Sequence, residues 1–186
     1  MKKVLKIKNN SKGFTLIELL AVIVILGILM ITAIPAVTKY INSSKKSTFA
    51  DSAGAYINAA RYSLLNDEYD CQTPSEDEQT VKIPLYSCSG EGANKTCDVN
   101  VDIDKGTETS SYGKTYDKDS YVFVKNDNGK LVYSICLVDD GKNGTKGGSG
   151  CLVEEKDLGK STISADKNIT VTQPTASSVT ECKKSS

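Results

Sequence analysis

From Phe14 to Val37 the chain reads FTLIELLAVIVILGILMITAIPAV, 24 residues carrying one charge, that of Glu18. An unbroken apolar run of this length makes a helix able to cross a hydrocarbon core about 30 Å thick. Beyond Pro35 the pattern turns periodic: Phe49, Ala53, Tyr56, Ile57, Ala60 and Leu64 fall on one stripe of an amphipathic helix. Lys45, Lys46, Asp51, Asn58 and Arg61 occupy the other face and read as a solvated surface. The pattern therefore predicts one helix over residues 14–65, roughly 78 Å long at about 1.5 Å per residue. A bend is expected near Pro35, where a backbone donor is missing. The stripe of the second half is expected to pack on the chain's own sheet.

After Asn66 the period shortens, and β-like runs are predicted at Val81–Leu85, Val99–Ile103, Ser120–Lys125, Leu131–Val138 and Asn168–Val171. Asn128-Gly129 suits a two-residue hairpin turn of type I′, in which both positions need positive φ. Pairing outward from that turn sets Asp127 opposite Lys130, Val124 opposite Tyr133 and Val122 opposite Ile135, the last two pairs on the helix-packing face. Asp98–Asp104 places acids at alternate positions, as a calcium loop begins, but lacks the glycine such a loop requires at its sixth position. A strand with Val99, Val101 and Ile103 inward explains the same residues. Asp139–Gly150 (DDGKNGTKGGSG) reads as a flexible connector, and the Ser/Thr/Lys-rich tail after Leu158 as weakly ordered up to Cys182. Asn94-Lys95-Thr96 and Asn143-Gly144-Thr145 match glycosylation sequons, triplets common by chance.

Charge adds a direction to this plan. Lys plus Arg and Asp plus Glu both number 23, so nothing indicates a nucleic-acid surface. Lys2, Lys3, Lys6, Lys8 and Lys12 all precede the apolar run, leaving 18 basic against 23 acidic side chains after it. That asymmetry puts the N-terminus in the cytoplasm and everything beyond residue 40 outside. The six cysteines, Cys71, Cys88, Cys97, Cys136, Cys151 and Cys182, all lie in the outer part. Histidine is absent, C-x-x-C pairs are absent, and the spacings match no zinc ribbon, so three disulfides are expected. Fifteen pairings are possible; Cys136 and Cys151, flanking the connector, are plausible partners. No metal or other cofactor is expected. Without histidine, a Gly-rich phosphate loop or a nucleophile elbow, the chain offers no catalytic set and reads as a non-enzyme.

An ordinary secretory signal puts its apolar stretch before the cut, whereas here it follows a short lysine-rich leader and no A-x-A site stands behind it. Lys12-Gly13-Phe14-Thr15-Leu16-Ile17-Glu18 closely resembles the class III signal of type IV pilins and pseudopilins. The resemblance covers about residues 12–40. It implies cleavage between Gly13 and Phe14 by a prepilin peptidase, followed by methylation of the Phe14 amine. It also implies an assembly contact between Glu18 and the Phe14 amine of a neighbouring subunit, and a helix kink at Pro35. A carboxylate inside an apolar helix costs a few kcal/mol unless paired, which gives that contact its register. The alternative for Glu18 is solvation at the headgroup level.

Together these readings predict an α+β, pilin-like chain: one long N-terminal helix on a small antiparallel β-sheet with disulfide-tied loops. Its divisions are a leader over 1–13, a helix over 14–65 with 14–37 as membrane span and filament core, and an extracytoplasmic β-rich domain over 66–186. The expected function is a structural subunit of a type IV pilus-like filament, a single-pass membrane precursor that ends at the cell surface. Its expected partners are further copies of itself, other pilins, the prepilin peptidase, the inner-membrane assembly platform and the membrane. The alternatives are a pseudopilin of a type II secretion or DNA-uptake system, and a membrane-tethered binding module that never polymerises. A disulfide-laden body suits a mechanically stressed exterior and favours the pilus.

Overall fold

The structure is a computed structural model that describes residues 13–90, 96–103, 109–148, 150–174 and 179–185. The leader lysines and Asn94 lie outside these residues. Helix α1 runs Leu16–Leu65 as 50 continuous residues that pass through Pro35 without a break. Thr32 and Thr38 sit inside the apolar segment and satisfy their hydroxyls by donating to the carbonyls of Leu29 (3.0 Å) and Ile34 (2.9 Å). The helix stops in a Schellman turn. Glu68 N–H donates to Ser63 O at 2.9 Å, Asp67 N–H to Leu64 O, and Asp67 takes the left-handed conformation (φ 56°) usually given to glycine.

The chain divides into two compact units, residues 1–41 and 42–186, so the second unit takes in the last part of α1 as well as everything after residue 65. In that unit the strands are β1 (Thr80–Pro84), β2 (Tyr86–Ser89), β3 (Thr96–Val99), β4 (Tyr121–Asp127), β5 (Lys130–Cys136), β6 (Gly144–Thr145), β7 (Leu152–Glu154), β8 (Ile163–Ser164) and β9 (Thr180–Glu181). The main sheet has the order β7-β5-β4-β1-β9, and β2–β3 and β6–β8 are separate two-stranded ribbons. All pairs in the main sheet are antiparallel except β1–β9, which is parallel. The β4–β5 hairpin has the predicted register, with Asp127 opposite Lys130, Val124 opposite Tyr133 and Val122 opposite Ile135. Its turn residues Asn128 and Gly129 have φ of 52° and 82°, the sign a type I′ turn needs.

The alternation of β4 places its two faces in two cores. Val122 and Val124 join Phe49, Ala53, Tyr56, Ile57, Ala60 and Leu64 of α1, with Val81, Ile83, Ile135 and Leu137, in the main cluster. Phe49 and Tyr56 both meet the Tyr116 ring edge-on, with centroids 5.6 Å apart. Burying a side chain such as Ile57 stabilises by about 1.5–3 kcal/mol. Arg61 lies 4.4 Å over the Tyr133 ring and pairs with Glu155, joining α1 to the sheet edge.

Tyr121 and Phe123 point to the opposite face, where Cys136, Val138, Cys151 and Ile169 form a second cluster with Leu152, Val171 and Val179 against it. This corrects the reading of the tail. The part after Leu158 that is described contributes strands β8 and β9, and Ile169 and Val171 cover the outer sheet face, with Tyr121 donating its hydroxyl to Thr172 O at 2.6 Å. The expected strand at Asn168–Val171 is absent; its Ile169 N–H instead donates to Lys142 O.

Two further expectations fail because of contacts made in the tertiary structure. The strand placed at Val99–Ile103 ends at Val99, which is 44% exposed rather than inward. Asn100 ends it: its buried side chain donates to Pro84 O (2.8 Å) and Cys182 O (3.2 Å) and accepts Lys184 N–H (2.6 Å). Val101 is buried beyond that turn, Ile103 packs against the core, and Asp104 lies outside the described residues. The connector Asp139–Gly150 is no flexible linker. Asp139, Asn143, Gly144 and Thr145 are buried, and a Cβ on Gly147 would stand 1.9 Å from Leu152 O. Glycine is there for close approach of backbones.

Disulfides join Cys71 to Cys182, Cys88 to Cys97 and Cys136 to Cys151. The first spans 111 residues and ties the C-terminal segment beside β1. The second links residues directly opposite each other in the β2–β3 ribbon. The third closes the loop that carries Asp139.

Candidate functional site

Glu18 is the third residue of α1 and Thr15 its N-cap. The first turn of any helix leaves backbone N–H groups without partners, and T-x-x-E supplies two acceptors for them. Glu18 N–H donates to Thr15 Oγ1 at 3.3 Å, and Thr15 N–H donates back to Glu18 Oε2 at 2.8 Å. The Thr15 hydroxyl also donates to Oε2, at 2.9 Å. The carboxylate is thereby held against the helix start, next to Phe14. The T-x-x-E spacing makes this box legible in the sequence, and it gives Glu18 a role within its own chain beside the intersubunit and headgroup roles.

Gly13 and Phe14 precede the helix, and Phe14 is 87% exposed. From Leu16 to Ile41 the large apolar side chains are all exposed, between 46% and 82%. This is an apolar surface of a kind that a water-soluble unit buries, and the helix is long and apolar enough to cross a membrane. Pro35 lies within it and Gly27 has open space around its Cα.

Other polar clusters belong to the fold. Asp139, fully buried, accepts from Ser110 Oγ (2.6 Å), Asn143 N–H (2.9 Å) and Asn143 Nδ2 (3.0 Å) and so knots the 109–116 loop to the 139–145 loop. Burial also removes the Asn143 sequon from the surface. Asp77, Glu78 and Asp127 bring carboxylates within 4.8 Å of one another, but all are exposed. Lys125 lies 2.7 Å from Glu78, and Asn128 N–H caps Asp77. Burial lifts the Tyr69 and Tyr121 hydroxyls to about 12, and raises Tyr133 as well.

A long helix with an exposed apolar first segment, packed by its second on a disulfide-tied sheet, defines a pilin-like α+β subunit. The family described as the prokaryotic N-terminal methylation motif matches residues 8–34. The chain is 31% identical over 151 residues to the type IV major fimbrial protein FimA of Dichelobacter nodosus, covering 72% of this chain and 92% of that one. It is 30% identical over 141 residues to a fimbrial protein of the same organism, covering 67% and 87%. Over 89 residues it is 37% identical to the type IV major alpha-pilin of Moraxella bovis, covering 47% of this chain and 54% of the other. No solved structure matches it significantly. The chain belongs to the type IV pilin family.

Proposed function

We propose that this protein is the structural subunit of a type IV pilus-like filament, cut between Gly13 and Phe14, methylated on the Phe14 amine and polymerised through residues 14–41 of α1. The observation that carries the reading is the unburied apolar face from Leu16 to Ile41, which lipid covers before assembly and other copies cover afterwards. The leader lysines hold the N-terminus in the cytoplasm, and residues 42–186 lie outside. A prepilin peptidase and an inner-membrane platform act on the precursor, and the filament stands at the cell surface. The matched methylation motif supports the processing step, and the three disulfides suit an exported body.

Glu18 serves assembly in this reading. Its carboxylate, held by Thr15, faces the amine that cleavage creates on a neighbouring copy, so that neither charge stays alone in an apolar filament core. N-terminal sequencing or intact mass of protein from sheared native filaments tests the proposal. A chain starting at methylated Phe14 is the expected result, and filament protein that retains Lys12 and Gly13 would contradict it.

A further inference from the structure

The exposed apolar segment runs from Phe14 to Ile41, which are 28 residues apart counting both ends. As a helix it is about 42 Å long at about 1.5 Å per residue, against a hydrocarbon core about 30 Å thick. Before assembly, therefore, part of the segment lies outside the hydrocarbon. Exposure does not choose which part, because every large apolar side chain in it is exposed. The polar groups do choose, and their spacing is fixed, since all of them lie on one continuous helix within one compact unit.

At the start of α1 the Thr15–Glu18 box gathers a carboxylate, a hydroxyl and two backbone N–H groups at one level. The next charged side chain is that of Lys39, followed at once by Tyr40, which is 76% exposed. Between these two polar ends, residues 19–38 carry two polar side chains, Thr32 and Thr38, and both donate their hydroxyls to carbonyls of the same helix. Nothing in that stretch asks for water. Its 20 residues rise about 30 Å, the thickness of the hydrocarbon. Sliding the helix outward from this position draws Glu18 into the hydrocarbon, and sliding it inward draws in the Lys39 ammonium. Either charge is costly there. Tyr40 joins an apolar ring to a hydroxyl, and Lys39 joins an apolar stem to a cation, so both suit the layer of lipid headgroups.

We infer that in the membrane-inserted precursor Lys39 and Tyr40 dock in the outer headgroup layer and the Thr15–Glu18 box in the inner one, so that the hydrocarbon covers residues 19–38 and not 14–37. The inference rests on the membrane-inserted precursor proposed above and assigns its depth. Glu18 then has two settings in succession. Lipid headgroups and water solvate its carboxylate before assembly, and the apolar surroundings that demand a counter-charge arise only when the chain leaves the bilayer for the filament.

The chain has no tryptophan, so a single introduced one reports depth without background. The test reconstitutes the full-length chain in vesicles of phosphatidylcholine and phosphatidylglycerol whose lipids are brominated either near the headgroup or near the chain end. Quenching is compared in Ile17→Trp, Val22→Trp, Leu29→Trp and Tyr40→Trp, all at exposed positions. Depth counts from the nearer leaflet, so both orientations of the chain read alike. Leu29, beside the middle of 19–38, should give the highest ratio of deep to shallow quenching, and Val22 a lower one. Ile17 and Tyr40, equally far from that middle, should both be quenched mainly by the shallow bromines. Val22 and Leu29 lie equally far from the middle of 14–37, so equal ratios at those two would overturn the inference. A Tyr40→Trp signal that neither bromine reduces would do the same. A second measurement needs no substitution: in wild-type vesicles a water-soluble carbodiimide with an added amine should label Glu18. Labelling by a hydrophobic carbodiimide alone would place that carboxylate inside the hydrocarbon and overturn the inference. A wild-type chain that does not float with the vesicles would instead remove the membrane-inserted precursor itself, and this depth with it.

Discussion

Thr15 and Glu18 exchange backbone hydrogen bonds across the first turn of α1: Thr15 N–H reaches Glu18 Oε2 at 2.8 Å, and Glu18 N–H reaches Thr15 Oγ1 at 3.3 Å. Glu18 thus has a duty inside its own chain, and its two duties are separable by mutation. Glu18→Ala removes both the cap and the charge, and a buried partner left without its counter-charge typically costs about 3–5 kcal/mol. Thr15→Val removes the hydroxyl cap and keeps the charge, for about 1 kcal/mol. Immunoblots of membrane and sheared filament fractions should show both variants inserted and cleaved. Filaments should be nearly lost from Glu18→Ala and only reduced in Thr15→Val. Equal loss in the two would assign the defect to helix capping and leave no role for the charge.

Gly147 is held by backbone on both sides, donating to Gly150 O at 2.8 Å with Leu152 O where a side chain would start. Gly147→Ala should therefore destabilise the folded unit by roughly 1–3 kcal/mol through overpacking. Gly148→Ala, where nothing stands within 4 Å of the new Cβ, should be close to neutral. Thermal melts of the two variants decide it; equal melting temperatures would restore the flexible-connector reading.

Asp139 is fully buried and accepts from Ser110 Oγ, Asn143 N–H and Asn143 Nδ2. Asp139→Ala leaves Ser110 and Asn143 donors buried and unsatisfied, at about 1–3 kcal/mol each. Chemical denaturation should show a lower midpoint than wild type by an amount well above that of the exposed Asp166→Ala. Matching midpoints would show that the two loops hold without this hub.

The disulfides differ in exposure. Cys136, Cys151 and Cys182 are fully buried, whereas both Cys88 and Cys97 are half-buried in a two-stranded ribbon. Stepwise reduction with differential alkylation should label Cys88 and Cys97 first. The separations of 9 and 111 residues give about 2.6 and 4.8 kcal/mol by loop-closure entropy. Replacing Cys71 and Cys182 together should then lower the melting temperature more than replacing Cys88 and Cys97. The reverse order would refute the entropic ranking.

Tyr69 and Tyr121 ionise near 12 in the folded state because burial disfavours the phenolate. The unfolded chain releases those protons near 10, so it binds fewer protons than the native state above that pH. Stability should hold below about pH 10 and fall as pH rises towards 12. Tyrosinate absorbance followed alongside circular dichroism during brief alkaline jumps should show these groups ionising together with unfolding. Their full ionisation in a still-folded protein would contradict the assigned burial.

Local signals decided much of this protein. The apolar run, the stripe from Phe49 to Leu64, the Asn128-Gly129 turn with its register and the T-x-x-E start of α1 all depend on residues within a few positions of one another. Side-chain period and turn chemistry specify such features without help from the rest of the chain. What needed the tertiary structure were relations across long separations. Asn100 ends a strand because Pro84 and Cys182 offer it carbonyls. Cys71 finds Cys182 because β9 lies parallel to β1. Gly147 looks like linker composition until Leu152 O is seen against it. The exposure of Tyr62 and Leu65 likewise depends on which side of α1 the sheet covers, because a helical stripe states its own periodicity but cannot state where its neighbours end.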